Sequence, residues 1–145
     1  MDIDIRIDWL KHFDHIYCIH FLPKHDDRFG RICSELKRVG ILDSGIFSWK
    51  YTIDSPLYGY IQNFAPYRHS AVKEQKGMAN TMLAHYEIYK EAECLNYSRI
   101  AVLEEDIVFL KDVKLLNELL SKEPKTDVVL FDKFVYNQFE YIRDV

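Results

Sequence analysis

Residues 15–22 read His-Ile-Tyr-Cys-Ile-His-Phe-Leu, apolar or aromatic at nearly every position and stopped by Pro23. A strand with one solvated face alternates apolar and polar side chains. A run without that alternation must be covered on both faces. Helices packed on both sides of a parallel sheet give such cover, so this run constrains the fold more than any other feature. Residues 99–103, Arg-Ile-Ala-Val-Leu, and 127–131, Asp-Val-Val-Leu-Phe, have the same character. Residues 46–51, Ile-Phe-Ser-Trp-Lys-Tyr, read as a further strand.

The segments between these strands carry helical periodicity. Phe29, Ile32, Cys33, Leu36 and Val39 recur at three-to-four spacing, with Asp26 or Asp27 as the cap and Gly40 as the stop. From about Val72 to Cys94 a second helix is expected, with Met78, Met82, Tyr86 and Tyr89 along one side and both methionines in the core. Residues 112–121 form a short amphipathic helix through Val113, Leu116, Leu119 and Leu120. Residues 1–13 are a lead-in whose Trp9, Leu10 and Phe13 pack onto the body. Residues 52–70, with Ser55, Pro56, Gly59 and Pro66, read as irregular. Strands alternating with helices predict an α/β fold: an open, mostly parallel sheet with flanking helices in one domain over residues 1–145.

Composition narrows the partners. A net charge of −4 with no basic stripe argues against nucleic acid. An anionic ligand would therefore need a cation or a few well-placed Arg and Lys. The three cysteines, Cys18, Cys33 and Cys94, are far apart and lack zinc spacing, which fits a reduced, cytoplasmic setting. The N-terminus has no apolar h-region, and no apolar run approaches transmembrane length. Neither Gly-x-Ser-x-Gly nor a phosphate-binding Gly-rich loop occurs.

The chemistry concentrates at Glu104-Glu105-Asp106, directly after the apolar strand. Adjacent carboxylates raise one another's pKa, and a divalent cation removes that penalty. All-oxygen ligands suit Mg²⁺ or Mn²⁺. Along an extended chain side chains alternate, so Glu104 and Asp106 project to one side as a metal-binding pair and Glu105 to the other. Ligands in open α/β sheets bind outside the carboxyl ends of the strands, which is where this run falls.

Leu103-Glu104-Glu105-Asp106-Ile107 resembles the Leu-Glu-Asp-Asp-Val signature of glycosyltransferase family 25, the lipooligosaccharide galactosyltransferase-like enzymes. Residues 77–89, Gly-Met-Ala-Asn-Thr-Met-Leu-Ala-His-Tyr-Glu-Ile-Tyr, are similar to that family's Gly-x-x-Gly-Cys-x-x-Ser-His-x-x-x-Trp helix. Residues 16–28 are similar to its opening strand, basic turn and Asp-Arg pair. The match covers roughly residues 14–112, in the family's order. It departs from the pattern at Glu105, Ala84, Asn80 and Thr81, which replace Asp, Ser, Gly and Cys. The strand's Asn is also replaced, by Phe21 or His20 depending on the alignment.

The resemblance implies a GT-A-like fold, truncated at the C-terminus relative to the family's longer chains. It also implies a UDP-hexose donor, galactose favoured, a saccharide acceptor, and Mn²⁺ or Mg²⁺ at Asp106 and Glu104. Arg28, His85 and Glu105 are the expected donor-binding residues. Inversion at the anomeric carbon requires a carboxylate base, for which Glu104, Asp106 and Asp132 are the options. Lipopolysaccharide or surface-glycan synthesis is the expected setting, compatible with peripheral membrane association and a homo-oligomer. The alternative is a non-catalytic relative that binds a saccharide or a protein.

Overall fold

The computed structural model describes residues 6–21, 27–52 and 72–122. After a 3₁₀ turn at Trp9–Lys11, the order is β1 (His15–Phe21), α1 (Asp27–Arg38), β2 (Phe47–Thr52), α2 (Val72–Cys94), β3 (Ile100–Glu104) and α3 (Val113–Ser121). The three strands form one sheet in the order β2-β1-β3, with both neighbours parallel to β1. The class is α/β, as the two-sided apolar run predicts. The strand expected at 127–131, the irregular 52–70 segment beyond Thr52, and Tyr58, Tyr60, Phe64 and Tyr67 lie outside the described residues.

β1 is central, and both of its faces are used. Ile16 and Cys18 point into a cluster with Ile32 and Leu36 of α1, Leu120 of α3, and Trp9 and Phe13 of the lead-in. Tyr17 and Ile19 point the other way, onto Ala84 and Ile88 of α2. Ile16 and Ile19 are completely buried. Each contributes roughly 1.5–3 kcal/mol of hydrophobic free energy relative to an exposed side chain. Leu10, expected to pack, is exposed, while Trp9 and Phe13 are buried. The Trp9 indole N–H donates to the Val39 carbonyl at 2.8 Å, which satisfies a carbonyl at the end of α1.

Both long helices stop in the same way. Gly40 adopts φ +81°, its N–H donates to the Lys37 carbonyl, and the Ile41 N–H reaches back to Leu36. These are the paired bonds of a Schellman cap, closed by the buried Leu36 and Ile41. Asn96 repeats the arrangement after α2 with φ 56°, its N–H bonding Glu93 and that of Tyr97 bonding Ala92. Asn tolerates the left-handed conformation better than other side-chain-bearing residues.

The expected core face of α2 is corrected. Met82, Tyr86 and Tyr89 are exposed, and the buried stripe is Ala84, Ile88 and Ala92. This stripe, two alanines flanking an isoleucine at four-residue spacing, packs towards Tyr17 and Ile19 of β1, and the larger side chains face outward. The side chain of Met78 lies outside the described residues.

Candidate functional site

β1 and β3 pair in a register that sets Ile19 opposite Glu104, so the acidic run begins where the two strands finish together. Strand alternation holds up to that point. Ile100, Val102 and Glu104 face α2, whereas Ala101, Leu103 and Glu105 face α1. The chain then turns, with the Ile107 N–H donating to the Glu104 carbonyl at 3.1 Å. The extended geometry that would align Glu104 with Asp106 ends here.

The three carboxylates consequently have three environments. Glu104 is on the rim, and its Oε1 lies 3.4 Å from Nε2 of His85. The His85 contact holds the Glu104 carboxyl below the ordinary carboxylate range, against the opposing effect of burial. The other ring nitrogen of His85 faces the Tyr89 hydroxyl at 3.3 Å. Asp106 is exposed. Glu105 is buried, with its side chain 7% exposed. Its Oε2 accepts from Nδ1 of His20, which is also buried, and its Oε1 lies 3.7 Å from Nη1 of Arg28.

His85, expected to bind the donor, meets Glu104, expected to bind a metal, and Arg28 lies beside Glu105, both expected to bind the donor. Glu104 and Asp106 line the same pocket. Among the described residues no three His, Cys, Asp or Glu side chains converge to hold a metal ion. Glu105 is committed to His20 and Glu104 to His85, so the described side chains do not by themselves form an ion cage. Asp132, His25 and His69 lie outside the described residues.

Sequence reasoning passed over a second set of residues. Arg31, Glu35 and Arg38 run along one stripe of α1 and fasten the segment after β3. Arg31 donates to the carbonyls of Glu105 and Ile107. Glu35 accepts the Phe109 N–H at 2.7 Å and Nη2 of Arg38 at 2.6 Å. Arg38 donates to the carbonyls of Phe109 and Leu110. The signal was present as polar residues at helical spacing beside the apolar stripe of Ile32 and Leu36. For His20 no local signal existed, because its partner is 85 residues away.

Arg28, Arg31, Glu104, Glu105, Asp106 and Val108 line a pocket of about 350 Å³. Hollows of about 480 and 450 Å³ lie elsewhere, one beside Trp9 and Gly40 and one along the apolar side of Leu103 and Leu116. The first of these also holds charged groups, Arg6, Asp8, Lys37, Arg38 and Asp43, but only the smaller pocket holds the acidic run at the carboxyl end of β3.

Compared with protein-family models, curated proteins and solved structures, the chain gives no match. Among the described residues no helix is long and apolar enough to cross a membrane.

Burial also acts on the thiol beneath the site. Desolvation, reinforced by the Glu105 carboxylate, pushes the Cys18 thiol up to about 12. Cys18 is thus a packing residue, not a nucleophile.

Proposed function

We propose that this chain is the nucleotide-sugar-binding domain of a GT-A-like glycosyltransferase. It would move a hexose, galactose favoured, from a nucleotide sugar to a saccharide acceptor in lipopolysaccharide or surface-glycan synthesis. One observation carries the proposal: the acidic run at the carboxyl end of β3 shares a pocket with Arg28 and Arg31. The carboxyl edge of a parallel sheet is where ligands of such folds bind. The family 25 resemblance of residues 77–89 and 103–107 supplies the substrate class.

In this reading Arg28 pairs with the donor's diphosphate through its planar fork of N–H groups. Arg31 holds the carbonyls of the turn and keeps the pocket wall in place. Glu104 and Asp106, on the rim, face the sugar and the acceptor, and one of them or Asp132 deprotonates the acceptor hydroxyl. His85 orients Glu104. Dependence on Mn²⁺ or Mg²⁺ belongs to the proposal through the resemblance, and none of these steps runs through the ion. A cytoplasmic location, peripheral contact with the membrane and homo-oligomerisation belong to it as well.

One observation favours the second reading, a non-catalytic relative that binds a saccharide or a protein. Glu105, the middle carboxylate of the signature, is turned inward onto His20 and presents little surface to a ligand.

Titration of UDP and UDP-galactose, with and without Mn²⁺, followed by calorimetry or ligand NMR, tests the first reading. Binding in the millimolar range or tighter is expected. No UDP binding at millimolar concentration with metal present removes the nucleotide-sugar reading. If Glu104→Ala/Asp106→Ala keeps full biological function, turnover is excluded and the second reading stands.

A further inference from the structure

α2 turns its larger side chains away from the sheet. Met82, Tyr86 and Tyr89 recur at four- and three-residue spacing and so share one stripe of the helix, and the two tyrosines are 58% and 55% exposed. An isolated exposed tyrosine is ordinary. This stripe is not isolated, because its edge runs into polar groups held in order. The Tyr89 hydroxyl lies 3.3 Å from Nδ1 of His85, and Nε2 of the same ring lies 3.4 Å from Oε1 of Glu104. The His85 and Tyr89 ring centroids are 5.9 Å apart, with the planes inclined at 50°. Glu104 in turn lines the pocket that holds Arg28, Arg31 and Asp106. The stripe therefore leads from aromatic rings to a carboxylate on the pocket rim. The other flank of α2 differs, since Glu87 there is tied to Lys50 of β2.

We propose that this ledge, Tyr86 and Tyr89 beside His85 and Glu104, is a saccharide subsite: a hexose lays an apolar C–H face on a tyrosine ring and donates hydroxyl hydrogen bonds to the Glu104 carboxylate. A pyranose is amphipathic in the way this surface is. Its C–H bonds make a flat apolar patch, and its hydroxyls ring the edge. Tyrosine offers a flat apolar face with a polar tip, and an ionised carboxylate accepts hydrogen bonds on both oxygens. The His85 contact holds the Glu104 carboxyl below the ordinary carboxylate range, which keeps it an acceptor at neutral pH. The apolar side chains of a protein partner would strip water from Glu104 and put nothing in its place, whereas sugar hydroxyls replace the lost hydrogen bonds. The inference rests on the proposed function in making this saccharide the acceptor, set beside a candidate base. The ledge itself is a statement about hexoses, whether or not they react.

The test is saturation-transfer NMR with lactose and the methyl glycosides of galactose, glucose and mannose, beside a UDP titration of the same variants. Wild type should bind at least one of these sugars in the millimolar range. Tyr86→Ala/Tyr89→Ala should weaken that binding by about 10-fold, the scale of an aromatic contact. Tyr86→Leu/Tyr89→Leu should do the same, because leucine keeps apolar area but not the flat face. Tyr89→Phe keeps the ring and should stay within about 3-fold of wild type. Glu104→Ala should cost about 10-fold, the size of a hydrogen bond to a charged group. The tyrosines are exposed, so replacing them leaves the fold intact, and UDP binding in a pocket they do not line should be unchanged. Unaltered sugar affinity in the double-leucine variant or in Glu104→Ala overturns the ledge. So does a wild type that binds none of these sugars, or one that self-associates through the tyrosines, seen as a dimer that Tyr86→Ala/Tyr89→Ala makes monomeric. Sugar binding through the tyrosines without UDP binding removes the nucleotide-sugar reading and keeps the saccharide subsite. UDP binding with sugar binding indifferent to the tyrosines does the reverse.

Discussion

Replacing Glu35 by alanine should loosen the whole segment that follows the acidic run. The Glu35 side chain is 15% exposed and serves two partners, Arg38 and the Phe109 N–H. The Arg38 contact is an i,i+3 pair whose arginine is 34% exposed, so solvent screening limits it to roughly 0.3–0.5 kcal/mol. The amide-to-carboxylate bond is half-buried and contributes about 1.5 kcal/mol. Together they give about 2 kcal/mol, less a few tenths because alanine is the better helix former. Urea denaturation should show a midpoint lowered by about 1 M for a slope near ~2 kcal/mol/M. Hydrogen exchange gives the local readout, since the Phe109 amide should lose protection by roughly an order of magnitude.

Glu35→Gln keeps an acceptor oxygen but loses the charge, and should cost about half as much. The pH dependence has a definite sign. Arg38 and the Phe109 N–H hold the Glu35 carboxyl below its ordinary 4.5, with burial opposing them. Because the folded-state value is depressed, the stabilisation is complete above about 4.5 and fades as pH falls through the folded value. The gap between wild type and Glu35→Gln should therefore close under acid. A loss under about 0.5 kcal/mol with Phe109 exchange unchanged would refute the idea that α1 fastens this segment.

Two further outcomes follow from burial. Native alkylation with iodoacetamide at pH 8 should label the exposed Cys94, Cys33 less readily, and Cys18 only after unfolding. With the Cys18 thiol near 12, its thiolate fraction at that pH is about 10⁻⁴ even before access is considered. Labelling of Cys18 at the rate of Cys94 in the folded protein would contradict its placement in the core. On α2, Ile88→Ala should cost about 3 kcal/mol by leaving a cavity, while Tyr86→Ala should stay within about 0.5 kcal/mol. The opposite order would restore the methionine–tyrosine side as the packed face.

The site was only partly legible from the residues. The run Glu104-Glu105-Asp106 announces itself because carboxylates seldom follow a buried strand without purpose, and alternation correctly sends Glu104 and Glu105 to opposite faces. What alternation cannot predict is where the strand ends. The turn closed by the Ile107 N–H on the Glu104 carbonyl ends the two-residue period after Glu105. Glu105, the member that departs from the family signature, is the one the structure anchors, through His20 and Arg28.

The sequence by itself determined the local order of the chain. Unbroken apolar character at residues 15–21 demands cover on both faces, and three-to-four spacing with Gly40 fixes α1 and its end. Such signals are local, because periodicity and caps act within a few residues. Only the tertiary structure decided which face of α2 is buried, since alanines at the contact leave no hydrophobic signature as loud as exposed tyrosines. It also decided that His20 and Glu105 meet, and that Arg31, Glu35 and Arg38 fasten the loop beyond β3. Those contacts depend on parallel pairing of β1 with β3 and on the packing of α1 beside them, and no local pattern encodes either.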